Sequence, residues 1–166
     1  MFLKKFHRVF FVSLVLLLGC GNKAQTREAF PFKIKDLKGL ELSVPDAQKK
    51  IVFLEFWATW CPPCVMASPD IEKLVEEYKG KNIQFIHISL DQDEEVLKEF
   101  VLNRHMQGHV ALAGDSGIDT EYHVQGIPSF FIIDKNGIIG GAWEGYHPMM
   151  VNLWRKKLDQ LLSIKS

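Results

Sequence analysis

The sequence lacks several features that would point to a function directly. It has no excess of charge, because 20 lysines and arginines balance 20 aspartates and glutamates, and this argues against a nucleic-acid partner held by a basic field. Internal repeats and low-complexity tracts are also missing. The 166 residues, 47% of them hydrophobic, suit a single globular domain with its own core. With only three cysteines in the chain, each of them needs an explanation.

The N-terminal apolar run is too short to be a permanent membrane anchor. Residues 9–18 are apolar almost throughout and follow a positively charged start that contains Lys4, Lys5 and Arg8. A membrane-spanning helix needs roughly 20 apolar residues, about twice the length of this run. We therefore predict that residues 1–19 are a signal peptide that directs the protein out of the cytoplasm.

The end of this segment, LLGC at residues 17–20, resembles a bacterial lipobox. The resemblance implies cleavage before Cys20 and lipidation of that cysteine, so that the mature protein is a lipoprotein held on a membrane, on the periplasmic side of the cell envelope. The alternative is an ordinary secretory signal that ends near a cysteine by chance. The polar residues 20–29 are then predicted to be a lipidated, flexible tether, followed by the domain at residues 30–166.

Hydrophobic periodicity predicts alternating strands and helices over residues 30–166. In chain order, we predict a hairpin (30–44), a buried strand (49–58), a helix (62–80), a second buried strand (82–91), a second helix (93–106), a short strand (110–113), a brief helix (118–123), a hairpin around DKNG (134–137) and a closing helix from Pro148. The second helix should bury one apolar face formed by Val96, Leu97, Phe100 and Val101. Crossover units require parallel strands and hairpins require antiparallel ones, so the expected class is α/β with a mixed sheet between helices.

Cys61 and Cys64 stand two residues apart in WATWCPPC, at the predicted junction of the first buried strand and its helix. Ligand and reaction sites of open α/β sheets collect at this edge. A zinc site would need four ligands, usually as two close pairs, and the other pair with suitable spacing is His105 and His109. A structural disulfide over so short a loop would restrict the unfolded chain weakly. We therefore favour a redox pair over zinc and expect no metal or cofactor.

The position of the pair at a helix start makes its two members unequal. Free backbone N–H groups and the helix dipole stabilise an anion there, so Cys61 should exist partly as a thiolate near neutral pH. Cys64, one turn further in, should be more shielded, which predicts an exposed attacking thiol and a buried resolving thiol. Pro62 and Pro63 suit the first turn, where a missing N–H costs little, and they fix the backbone that closes the pair.

Two motifs far apart in the chain, FWATWCPPC at 56–64 and GIPSFFIIDKNG at 126–137, resemble the thioredoxin superfamily. The likeness is to its TlpA-like and ResA-like branch of extracytoplasmic thiol-disulfide oxidoreductases and covers nearly the whole domain. It implies a thioredoxin-like fold with an N-terminal hairpin and an inserted helix and strand. It also implies a cis peptide bond before Pro128, in a turn that packs against the cysteines and offers the backbone of Ile127 to an extended substrate peptide.

Glu55 lies inside the first buried strand, six residues before Cys61. An unpaired carboxylate there would be costly, so we expect Glu55 to be protonated or hydrogen-bonded. Its position resembles the family's buried acid, which accepts the proton of the second cysteine as the mixed disulfide resolves. Members of the ResA-like branch often carry a glutamate three residues after the second cysteine, where this chain has Ala67, so Glu55 is expected to replace it. The alternative is an acid that reaches a sheet edge or water.

The sequence therefore predicts a thiol-disulfide oxidoreductase, most simply a monomer, with Cys61 attacking, Cys64 resolving and Trp60 shielding the site and contacting partners. The expected partners are disulfide-containing exported proteins and a membrane thiol-transfer protein that resupplies electrons. The family resemblance implies a role in cytochrome c maturation. Two alternatives remain: a peroxiredoxin-like peroxidase, which the close cysteine pair disfavours, and a thioredoxin-fold adaptor lipoprotein without redox turnover.

Overall fold

Strands and helices alternate along the part of the chain that the computed structural model describes, residues 27–164. The strands are β1 (Phe32–Lys35), β2 (Glu41–Val44), β3 (Ile51–Trp57), β4 (Ile83–Ser89), β5 (His109–Leu112), β6 (Ser129–Ile133) and β7 (Ile139–Glu144). The helices are α1 (Pro62–Glu77), α2 (Glu94–Arg104), α3 (Ile118–Glu121) and α4 (Met150–Ser163). The order of elements is the predicted one.

Five of the strands form one mixed sheet in the order β5, β4, β3, β6, β7. The first three of these run parallel, whereas β6 pairs antiparallel with both β3 and β7. The predicted α/β class with a mixed sheet is therefore confirmed. β1 and β2 form the predicted antiparallel hairpin, which stands as a separate two-stranded sheet.

β3 lies at the centre of the sheet, and all seven of its residues are buried. Val52, Leu54 and Phe56 pack on one face in a cluster with residues of the β1–β2 hairpin and of α3. Ile51 and Phe53 pack on the opposite face with residues of α1 and α4. Alternate side chains of a strand point to opposite faces, so burial on both faces explains the unbroken apolar run of β3.

The folded domain begins earlier than predicted. Glu28 forms a β-bridge with Ile138, and the N–H of Ala29 donates a 2.8 Å hydrogen bond to the carbonyl of Gly137. Ala29 is also buried in the core. The predicted tether is therefore too long at its C-terminal end, because residues 27–29 pair with the β6–β7 hairpin, a contact between segments more than one hundred residues apart that no local pattern encodes.

The predicted signal peptide (residues 1–19) and Cys20 lie outside the described residues. Within residues 27–164, none of the helices is both long enough and apolar enough to cross a membrane.

Two helices differ in detail from the prediction. The expected apolar face of α2 is wrong at Val96, which is 50% exposed, whereas Leu97 is fully buried. α2 thus contacts the rest of the protein through a narrower stripe than its sequence indicates. α4 begins at Met150 rather than at Pro148, because Pro148 lies in a preceding turn where its carbonyl accepts a hydrogen bond from Val151.

The β1–β2 hairpin is joined to the edge of the main sheet through Asp36. Its Oδ1 accepts hydrogen bonds of 2.9 Å from the N–H groups of both Lys38 and Leu40, and its Oδ2 lies 2.9 Å from Nδ1 of His109 on β5. Burial by itself would raise the pKa of Asp36, but the hydrogen bonds from His109, Leu40 and Lys38 and the charge of His109 outweigh burial and hold that pKa below its usual value. The carboxylate form of Asp36 therefore stabilises the folded state.

We expect Asp36→Ala to lower the free energy of unfolding by about 2–3 kcal/mol at pH 7, because three part-buried donors lose their charged acceptor. Since the pKa of Asp36 is lowered by folding, its contribution is present above the unfolded value of 3.8 and is lost as the pH falls through the folded value. The difference in the free energy of unfolding between wild type and Asp36→Ala should therefore become smaller below about pH 4. Urea unfolding at pH 7 and pH 3 measures this difference.

Glu41→Ala is the control, since Glu41 belongs to the same hairpin but forms an exposed ion pair with Lys33. It should change the free energy of unfolding by no more than about 0.5 kcal/mol. An equal loss in both variants, or a loss in Asp36→Ala that does not depend on pH, would contradict this role of Asp36.

Candidate active site

Cys61 and Cys64 form a disulfide at the point where the loop after β3 enters α1. Cys61 is the N-cap residue of α1, and its Sγ accepts a 3.3 Å hydrogen bond from the N–H of Cys64. Pro62 and Pro63 occupy the first two helical positions, as their missing N–H groups and fixed φ favour. The predicted placement of the pair is confirmed.

The expected difference in exposure between the two cysteines is not found in the disulfide form. Cys61 is 4% exposed and Cys64 is 1% exposed, so both are buried. The sulfur of Cys61 is covered by the Ile127–Pro128 turn, with Sγ 3.7 Å from the carbonyl oxygen of Ile127. Helix position alone therefore does not expose the attacking sulfur, because a segment 66 residues away in the chain packs over it.

The turn that covers the pair contains a cis peptide bond between Ile127 and Pro128, as predicted. Pro128 immediately precedes β6, whose first residue, Ser129, pairs with Phe56 near the end of β3. Because β6 runs antiparallel to β3, the start of β6 lies beside the end of β3. This register brings the turn to the cysteines.

The loop between β7 and α4 closes another side of the site. The N–H of Gly145 donates a 2.7 Å hydrogen bond to the carbonyl of Pro128, and the hydroxyl of Tyr146 donates a 2.6 Å hydrogen bond to Asp70 of α1. Burial and the bond to Asp70 raise the pKa of Tyr146 to about 12, and the hydrogen bonds from Tyr146 and Lys73 lower the pKa of Asp70. The loop is thereby tied both to the cis turn and to α1.

The two tryptophans beside the pair have different environments. Trp57 is 2% exposed and packs in one cluster with the cysteines. The centroid of its ring lies 5.6 Å from that of the Phe100 ring. Trp60, next to Cys61, is 65% exposed. Trp57 is thus a core residue, as expected, while Trp60 offers apolar surface at the rim of the site.

Glu55 is buried and has a specific partner. It is 2% exposed, and its Oε2 lies 2.6 Å from Nδ1 of His87, which is fully buried on β4. The parallel register of β3 and β4 places the two residues side by side. The expectation that Glu55 is hydrogen-bonded is confirmed, and the alternative of an acid that reaches water is wrong. Ala67, where the ResA-like branch carries its usual glutamate, is fully buried on α1.

Asp91 is a site residue that sequence reasoning missed. It is 6% exposed and follows β4, and it accepts hydrogen bonds from the N–H of Thr59 (3.0 Å), the Thr59 hydroxyl (2.6 Å) and the Ser89 hydroxyl (2.5 Å). These bonds hold the loop that leads into Cys61. The sequence did contain a signal for Asp91. Ser89 and Asp91 are polar residues at the end of a buried strand, and the ends of neighbouring parallel strands meet at one edge of the sheet, where sites collect.

The zinc alternative finds no support in the structure. No group of three or more His, Cys, Asp and Glu side chains could hold a metal ion within residues 27–164. His105 and His109 do not share a helix face, because α2 ends before His105 and His109 lies on β5, where it pairs with Asp36.

Sequence comparisons place this site among thiol-disulfide proteins. Residues 26–142, more than half of the chain, match the model of the AhpC/TSA family. A thiol-disulfide oxidoreductase ResA of Bacillus cereus is 32% identical over 148 residues, which cover 80% of this chain and 86% of the relative. Thioredoxin-like protein YneN of Bacillus subtilis is 31% identical over 140 residues, which cover 83% of this chain and 78% of the relative.

Solved structures agree with the fold. The crystal structure of a Chlorobium tepidum protein designated thiol:disulfide interchange protein DsbE has a TM-score of 0.77 at 25% identity and covers 83% of this chain and 97% of its own. StoA from Bacillus subtilis has a TM-score of 0.69 at 23% identity, with 78% and 96% coverage, and supports the fold alone. The thioredoxin-like fold expected from the motifs is confirmed.

We expect Asp91→Ala to lower the free energy of unfolding by about 3 kcal/mol, because three donors lose a charged acceptor in a buried position. The freed loop should also misplace Cys61 and lower disulfide-reductase activity at least about tenfold. Urea unfolding and insulin reduction measure the two effects.

Asp115→Ala is the matched control, since Asp115 is exposed and lines the same surface cleft as Asp91. Its stability should stay within about 0.5 kcal/mol of wild type. If Asp91→Ala behaves like this control, Asp91 does not hold the loop.

Proposed function

We propose that this chain, which belongs to the AhpC/TSA family and is a thiol-disulfide oxidoreductase with a thioredoxin-like fold, reduces disulfide bonds of exported proteins. One observation carries the proposal: Cys61 and Cys64 form a disulfide at the start of α1, with the Cys61 sulfur 3.7 Å from the carbonyl oxygen of Ile127. Such a pair stores two electrons when it is reduced and can pass them to a substrate disulfide.

The reaction begins at Cys61. Its side chain caps α1, where the helix dipole stabilises a thiolate. Pro62 and Pro63 have no N–H to offer, and the N–H that points at the Cys61 sulfur, from 3.3 Å, is that of Cys64. The Cys61 thiolate attacks one sulfur of the substrate disulfide. A bond forms between Cys61 and that sulfur, the substrate S–S bond breaks, and the other substrate sulfur leaves as a thiolate.

Cys64 then resolves the mixed disulfide. Its Cα lies 5.3 Å from that of Cys61, a separation that a disulfide spans without backbone movement. Cys64 gives its proton to Glu55 and attacks Cys61 Sγ as a thiolate, which displaces the second substrate sulfur. The pair ends oxidised, and the substrate has gained two electrons.

Substrate binding is assigned to the rim of the pair. Trp60 and Pro62 are both exposed beside Cys61 and offer apolar surface, with Pro63 half-buried next to them. Ile127 contributes a backbone carbonyl, and a contact to backbone does not depend on the side chains of the substrate. We therefore expect the site to accept disulfides in extended segments of differing sequence.

The proposed location is outside the cytoplasm, at a membrane. The motif at Cys20 supports lipid attachment, and because residues 27–29 already pair with the domain, the tether would be residues 21–26. A dithiol in an oxidising compartment needs a continuing supply of electrons, for which a membrane thiol-transfer protein is the proposed donor. Apocytochrome c, with its pair of haem-binding cysteines, is a substrate suggested by the family resemblance.

We expect a Cys64→Ser variant to accumulate mixed disulfides with exported proteins, because it can attack through Cys61 but cannot resolve the product. Non-reducing electrophoresis of the variant expressed in its host, followed by mass spectrometry, identifies the trapped partners. Wild type should reduce insulin, whereas Cys61→Ser should lose the activity and trap nothing. Equal insulin reduction by wild type and Cys61→Ser would favour the adaptor function. Wild type that consumes peroxide faster than it reduces disulfides would favour the peroxidase.

We expect Cys20→Ala to move the protein from the membrane fraction to the soluble fraction, because it removes the residue that would carry the lipid. Immunoblots of both fractions measure the change, with Cys61→Ala as the control that keeps the membrane location. An unchanged distribution in Cys20→Ala would contradict lipid attachment without affecting the redox function.

A further inference from the structure

Three ionisable side chains from three elements form a cluster beneath α1. Glu55 of β3 and His87 of β4 are 2% and 0% exposed and hydrogen-bonded at 2.6 Å. Glu72 of α1 is half-buried and interacts electrostatically with both. Neither His87 nor Glu72 has a role in the steps described above.

His87 and Glu72 both reach the turn at Gln107 and Gly108. Glu72 Oε2 accepts a 2.8 Å hydrogen bond from the N–H of Gln107, and Gly108 lies so close to His87 that a Cβ on it would be 2.9 Å from Nε2. The remaining polar atoms, Glu72 Oε1 and His87 Nε2, are buried and have no hydrogen-bond partner among the described residues. Glu72 and His87 are thus neighbours that share no hydrogen bond.

The pKa of Glu72 is raised by its position. Burial raises the pKa of Glu72, the Gln107 N–H and the charge of His87 lower it, and the charge of Glu55 raises it. The balance leaves the pKa of Glu72 above its usual value, so the neutral acid persists nearer to neutral pH than in a solvated glutamate. The tautomer of His87 is set by its other partner, because a Glu55 carboxylate only accepts hydrogen bonds and therefore requires the proton on Nδ1.

Glu55, one member of the cluster, lies on the side of the sheet that carries the cysteine pair. Glu55 and Trp57 point to the same face of β3, because they are two residues apart. Trp57 packs in one cluster with Cys61 and Cys64 on that face. The carboxylate that His87 holds is therefore on the cysteine side of the sheet.

We propose that His87 is a positioning residue for the resolving step, which donates from Nδ1 to hold Glu55 as a proton-accepting carboxylate under the cysteines. The proposal rests on the function proposed above. In this step the S–H bond of Cys64 breaks and an O–H bond of Glu55 forms, so one proton and no electron moves to the cluster. The Cys64 thiolate that results attacks Cys61 Sγ, and the proton later leaves to solvent or to the released thiolate.

The test separates the two chemical steps by stopped-flow with an aromatic disulfide whose nitrothiophenolate product absorbs visible light. The reduced full-length protein releases one thiolate when Cys61 attacks and a second when Cys64 resolves. His87→Leu should leave the first phase within about twofold of wild type and slow the second at least about tenfold at pH 7. His87→Asn, whose amide can replace the Nδ1 donor, should recover most of the rate.

Recovery in His87→Asn distinguishes a donor to Glu55 from a merely structural role, because leucine can fill the buried position but cannot donate a hydrogen bond. His109→Leu is the matched control, since His109 also pairs through Nδ1 with a buried carboxylate, that of Asp36. It should not alter the second phase.

Several results would overturn the proposal. A second phase slowed less than threefold in His87→Leu would do so, as would a second phase that His87→Asn does not restore. If His87→Leu does not fold, imidazole nitrogen NMR of wild type keeps the proposal testable, since it should show the Nδ1–H tautomer of His87. An Nε2–H tautomer would contradict the proposal. A wild type that releases no second thiolate would instead refute the proposed function.

Discussion

The pairing of β6 with β3 is the constraint on which the site depends. β3 ends where Cys61 begins its helix, and the antiparallel register that joins Phe56 to Ser129 fixes the start of β6 at the same edge. The cis turn at Pro128 must therefore lie against the cysteine pair. β4, parallel to β3 on its other side, ends at the same edge and places Asp91 under the loop that precedes Cys61. Three segments far apart in the chain thus converge because the strand pairing brings the end of β3, the end of β4 and the start of β6 to the same edge of the sheet.

The two faces of the sheet have different tasks. On the face of Val52, Leu54 and Phe56, the cluster is apolar and includes the β1–β2 hairpin and α3, so it contributes burial of hydrophobic surface. The opposite face carries Glu55 and Trp57 beneath the redox helix, and there polar groups interrupt the core. Both faces therefore contribute apolar burial, since Ile51 and Phe53 on the Glu55 face pack with α1 and α4, and the second face differs in the polar groups that it adds.

Two histidine–carboxylate pairs among the described residues differ in how deeply they are buried. In the first pair Asp36 is buried and His109 is partly exposed, and Asp36 also accepts two backbone hydrogen bonds that offset the cost of its burial. Glu55 and His87 are buried almost completely. Removing charged groups from water costs several kcal/mol per ion, and a well-packed apolar pair would serve stability as well or better. The burial of Glu55 and His87 on the cysteine side of the sheet is what we propose to explain by the transfer of a proton in the resolving step.

The sequence by itself determined the elements and the chemistry of the pair. Apolar runs, helical periodicity, the turn signal DKNG and CPPC after a buried strand are local patterns, and each acts through neighbours within a few residues. The partner of Glu55, the role of Asp91, the docking of residues 27–29, the exposure of Val96 and the burial of Cys61 in the disulfide form were decided only by the tertiary structure. Each of these depends on strand register or on packing between segments tens of residues apart, and the free energy of such contacts is shared among many residues rather than encoded in one stretch of the chain.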